Sequence, residues 1–150
     1  MSPVPLSSPK LRRLVKNALI GATGDAAPKP AQLAAAFDLL CDRLRARLRP
    51  LFGSNSIGAL FTRALHVATP EFPWLADLLS TDGEACSLKG LERISDKITG
   101  DALAEGLAAV LAHEIGLLSE FIGEDLVMPL VQAAWETTTL GAAWIEGNHE

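Results

Sequence analysis

The sequence predicts an all-α fold, a compact bundle of about six or seven helices with one long helix near residues 101–122. Three observations carry this reading. Hydrophobic residues make up 49% of the chain and come mostly from Leu and Ala, which favour helix over strand. Apolar residues recur at helical spacing along most of the chain, and Gly, Pro and small polar residues mark the breaks. No internal repeat, low-complexity run or convincing strand pair competes with that pattern. At 150 residues the chain fits a single helical domain, 1–150.

Ser8 and Pro9 read as the N-cap and first position of the first helix, and Gly21 as its stop. Between them Leu11, Leu14, Val15, Ala18 and Leu19 share one face. The loop ATGDAAPKP leads to a fresh start near Pro30. Leu33, Phe37, Leu40, Cys41, Leu44, Leu48 and Leu51 then form one apolar stripe, with Asp38, Asp42, Arg45 and Arg49 opposite, spaced for pairing along the helix. GSNS, 53–56, closes this helix and caps the next, which runs to about Ala68. TPEFPW breaks the chain before a short helix to Leu79. STDGEACS is a loop, and a modest helix covers about 88–98. Thr99, Gly100 and Asp101 restart the chain into the long helix, which reaches about Ile122, where Gly123 bends or ends it. The last helix runs through EDLVMPLVQAAWETT, with Pro129 as a kink or its true first turn. Trp144, in the tail from Leu140, is expected to fold back onto the body.

Composition bounds the function. The apolar content supplies a core and excludes a disordered chain. No uninterrupted apolar run approaches the roughly 20 residues that span a bilayer. Prolines occupy the N-terminus where a signal peptide carries its apolar core. The expectation is a soluble cytoplasmic protein with no membrane partner. Cys41 and Cys86 make no disulfide framework, and Cys41 reads as a small core residue. The net charge of −5 argues against nucleic acid as a partner. It also hides an asymmetry: residues 10–50 hold nine basic and three acidic residues, whereas 51–150 hold four and fifteen. The two regions are expected to face each other, within one fold or across a symmetric interface.

LAHEIGLLSEFIGED, 111–125, gathers one histidine and four carboxylates. Leu103, Leu107, Val110, Leu111, Leu118, Phe121 and Ile122 fall in one core arc of the long helix. On a helix continued through Gly123, His113, Glu120 and Glu124 lie within about 40° of one another on a flank of that arc. A His-Glu-x-x-His zinc site needs a second His where Leu117 stands, and a Glu-x-x-His site needs a Glu at Val110. His113, Glu120 and Glu124 also spread over more than ~10 Å along the axis, too far for one ion. No metal and no cofactor is therefore expected. LAHEI resembles the opening of the phosphoacceptor box of sensor histidine kinases, with an acidic residue after the His and apolar Leu111 and Ile115 around it. That resemblance implies His113 as a candidate phosphoacceptor on a helix of a dimeric bundle. It covers five residues; Leu118 stands where that box has Pro, and Gly116 where it usually has a polar or basic residue. The competing reading is the ordinary solvated flank of a helix.

Two other features of the long helix say more. Ala108, Ala112, Gly116, Ser119 and Gly123 form a strip of small side chains opposite the core arc. A solvent-facing strip usually carries long charged side chains, so this one is expected to lie against another backbone, in the same chain or in a second subunit. Glu114 and Asp125 project into the core arc, and Arg43 or Arg47, flanking the stripe of the second helix, is the expected partner of Glu114. His66 joins His113 as a candidate pair of axial haem ligands, without a cofactor motif. Phe72 and Trp74 read as a plug between helices ahead of a display to a partner. GATG, 21–24, and GSNSIG, 53–58, lack the spacing of a phosphate-binding loop.

The chain is similar in general appearance to small helical bacterial proteins. The functional expectation is a non-enzymatic helical protein–protein interaction module in regulation, binding a protein partner or itself as a homodimer. The alternatives are a His-phosphotransfer or signalling domain using His113, and a sensor holding a small ligand or haem between helices.

Overall fold

Five helices carry the fold: α1 (Pro9–Thr23), α2 (Pro30–Leu48), α3 (Ser54–Ala68), α5 (Gly100–Ile122) and α6 (Glu124–Trp135). A single-turn α4 (Leu75–Leu78) and a two-stranded antiparallel ribbon, β1 (Ser80–Asp82) with β2 (Ala85–Ser87), complete the described elements. The computed structural model describes residues 9–25, 27–78, 80–82, 85–87 and 98–135. The all-helical class holds. The helix expected over about 88–98, apart from Ile98, and Trp144 lie outside the described residues. The ribbon replaces part of an expected loop, with Ser80 opposite Ser87 and Asp82 opposite Ala85. Three residues per strand are too few for an alternating pattern to register.

Most helix boundaries follow from local chemistry. α1 starts at Pro9 and runs past Gly21 to Thr23. Its stop is Gly24, whose φ of 72° is a left-handed conformation that glycine adopts without strain. α2 starts at Pro30, and the Gln32 side chain accepts from the Lys29 amide at 2.8 Å, half of a capping box. It ends at Leu48, ahead of Pro50. Leu51 therefore leaves the stripe and is exposed, while Leu33, Phe37, Leu40, Cys41, Leu44 and Leu48 are buried as expected. Thr99 caps α5 by accepting from the Ala102 amide at 3.0 Å, and Asp101 sits favourably in the first turn. Gly123, at φ 91°, ends α5 rather than bending it. Pro129 is the sixth residue of α6, inside the helix and not at its first turn. Trp135 closes α6 fully buried, its indole N–H donating to the Leu40 carbonyl of α2 at 3.2 Å.

α5 is the axis of the structure. It packs against α1, α2, α3 and α6. Fourteen of its 23 residues are buried, on every side and not along one stripe, as a helix apolar all round requires. By length and composition α5 is also apolar enough to cross a membrane, although no uninterrupted apolar run in it is that long; 78% of its apolar window is buried inside the chain. The side chains that let neighbours come close are small: Ala104, Ala108, Ala109 and Ala112 are all buried.

A very close approach is at Gly106. Phe72 and Trp74, in the segment between α3 and α4, pack edge-to-face with ring centroids 6.0 Å apart and lie against the core, so they form the expected plug. A Cβ on Gly106 would stand 2.4 Å from Cη2 of Trp74. Glycine inside a helix costs about 1 kcal/mol relative to alanine, and here the notch admits an indole. Gly106→Ala should therefore lower stability by about 1–3 kcal/mol despite the gain in helix propensity. Trp74→Leu in the same chain should remove that penalty, as read by chemical denaturation. A Gly106→Ala protein more stable than the parent would mean that the ring does not fill the notch.

Candidate functional site

His113 lies beneath α1, not on a solvated flank. It is 6% exposed. Arg12, one turn before Lys16 on α1, reaches over it. The Arg12 guanidinium donates two hydrogen bonds to the Glu71 carboxylate, at 2.6 and 2.7 Å, and its Nη2 stands 3.4 Å from His113 Nε2. Guanidinium offers only donors, so the imidazole faces it as a neutral ring accepting at Nε2. One turn along, Lys16 donates to Asp101 at 2.9 Å and to Glu105 at 2.7 Å. Lys16 thus meets two acidic residues four apart near the start of α5, and Arg12, one turn earlier on α1, meets His113 further along it, so the helices run antiparallel. Arg12 and Lys16 of the basic first third thus meet acidic residues of the remainder within one fold.

The electrostatics follow from these contacts. Burial, then the neighbouring Arg12 cation, holds His113 below its ordinary pKa. The hydrogen bond from Arg12 lowers Glu71, and that same bond raises Arg12. Bonding to Glu105 and then Asp101 raises Lys16. This cluster ties α1 to α5 and to the segment that carries Trp74. Among the described residues no three His, Cys, Asp or Glu side chains gather as a metal site. His66 is exposed on α3 whereas His113 is buried.

Several expectations change because Gly123 turns the chain. Glu124 begins a new helix, which breaks the alignment of His113, Glu120 and Glu124, and both glutamates are exposed. Asp125 is exposed on the first turn of α6 and does not enter the core. Glu114 is buried, at 3% exposure, as its position predicts. Arg45, between the two candidate arginines on α2, pairs with Asp42 on its own helix. The small-residue strip divides. Ala108 and Ala112 are sealed inside the chain, Gly116 and Ser119 are half-buried, and Gly123 is exposed. For Ala108 and Ala112 the covering backbone belongs to the same chain, and no outside partner can reach them.

An open apolar groove lies elsewhere. Phe52 between α2 and α3, the outer face of α3 at Ser56, Ala59, Leu60 and Arg63, and Phe121 at the end of α5 enclose a cavity of about 270 Å³. Phe121 belongs to the core arc, yet it is 68% exposed. The apolar stripe of α5 outlasts the cover that α3 provides. Leu51 precedes the groove in the chain and Leu126 follows Phe121 by five residues, and both are also exposed. No protein-family model, curated protein or solved structure matches the chain.

The buried cluster predicts acid sensitivity in two stages. His113 is held below its ordinary value of 6.5, so the unfolded chain takes up the proton first. The stability it confers is complete above that value and is lost as pH falls through the lowered folded pKa. Glu71, held below its ordinary 4.5, behaves the same way further into acid. The melting temperature should fall in both ranges, and His113→Asn should flatten only the first. An unchanged pH profile in His113→Asn would place the acid lability elsewhere.

Proposed function

We propose that this chain is a non-catalytic helical module that acts by protein–protein contact, and that the contact is made at the groove between α3 and the end of α5. One observation carries the reading: Phe121, a large aromatic at 68% exposure, stands beside an apolar groove that opens to solvent. Aromatic residues at the centre of an apolar patch are the usual anchors of an interface. A cavity of about 270 Å³ falls below the usual range for a drug-sized ligand, and suits an inserted side chain. This moves the contact surface from the small-residue strip, whose first members Ala108 and Ala112 are covered, to the face where the apolar stripe of α5 emerges.

The alternatives fit the geometry less well. Phosphotransfer at His113 needs a reachable imidazole, and this one is buried with Arg12 against Nε2. A haem held between His66 and His113 would pair an exposed imidazole with a buried one that already faces Arg12. A photo-crosslinking residue at Ala59, in the groove, should give one discrete protein adduct in the native host. Phe121→Asp should abolish it, and a crosslinker at the exposed Arg13 should give none. An adduct from Ala59 that survives Phe121→Asp, or no adduct at all, would count against the groove as the contact.

A further inference from the structure

We infer that the occupant of this groove is a second copy of the same chain, in a two-fold contact that sets Phe121 of each copy against Leu60 and Phe52 of the other. The inference rests on the interaction reading above and names its partner.

The argument is self-complementarity. An isologous contact uses one patch twice, so that patch must carry both the projection and the recess, and both signs of charge. This patch does. Phe121 projects, and Ala59, exposed and small on α3, leaves the recess open. Arg63 lies on the rim and is exposed. Glu120 adjoins Phe121, and Glu124 follows it by three residues; both are exposed. Among the described residues none of these three forms an ion pair, whereas Arg12, Lys16 and Arg45 do. The protomer therefore presents a cation beside the recess and carboxylates beside the projection, unmatched in itself and matched by its own image. A two-fold operation brings Arg63 of each copy to Glu120 and Glu124 of the other. The exposed Leu51 and Leu126, adjoining Phe52 and Phe121 in sequence, widen the apolar area that such a contact covers. The bonds from Lys16 to Asp101 and Glu105 lie on α1 and the early turns of α5, at the opposite end of that helix from Phe121.

Charge reversal tests this through mass and pairing. The 15.9 kDa chain should sediment at twice its mass, and Phe121→Asp should return it to a monomer with an unchanged helical spectrum. Arg63→Glu alone should weaken self-association by at least about tenfold, and so should Glu120→Arg with Glu124→Arg. Mixed together, the two variants should pair with each other, because every cross-contact is again of opposite sign. A parent chain that stays monomeric at all concentrations overturns the inference, as does a dimer indifferent to Phe121→Asp and to both reversals. If the parent is monomeric while Ala59 still crosslinks to a different protein in a Phe121-dependent way, the interaction reading stands and self-pairing falls. If neither occurs, both fall.

Discussion

The whole architecture depends on covering α5. A helix that is apolar on every side has no face to give to water, so the rest of the chain must wrap it. α1, α2, α3 and α6 do so. Close wrapping needs thin walls, and the alanines at 104, 108, 109 and 112 supply them. At Gly106 the wall is thin enough for Trp74 to enter. The wrapping fails at one end, where α3 begins and α5 closes, and there Phe121 reaches solvent. The groove is the remainder of the same packing problem that makes the core.

Burying α5 all round also creates a polar problem, because His113 and Glu114 lie within it. α1 answers for His113: Arg12 donates across it to Glu71, and Lys16 takes up Asp101 and Glu105 at the nearer end. The basic residues Arg12 and Lys16 thus help dock α1 antiparallel on α5. Exposed ion pairs contribute little singly. Here they are joined in a network, and Arg12 makes two-pronged contact with Glu71, which adds geometric specificity.

Much of this was legible in the residues. The stripe Leu33 to Leu48, the starts at Pro9, Pro30 and Thr99, and the stop at Gly123 depend on neighbours within a turn or two, and they came through. What failed depends on contacts distant in sequence. Phe121 has the angular position of a core residue, and nothing in its own helix reveals that α3 stops short of it. His113 has the position of a flank residue, and only α1 decides that it is buried. A helix covered on all sides makes the distinction between core arc and flank uninformative. Gly116 and Gly106 are both glycines inside one helix; only the placement of Trp74 singles out Gly106 as the notch. The charge asymmetry did anticipate that the basic and acidic regions meet, because complementary charge is readable without knowing the contact.

Hydrogen exchange along α5 tests the wrapping most directly. If the helix is the enclosed axis, the amides of residues 107–118 open only with the whole molecule. Their exchange free energies should then equal the global unfolding free energy measured by denaturation, while those of 120–126 are far lower. A centre of α5 that exchanges through local openings well below the global value, or at the same rate as its exposed end, would contradict the account.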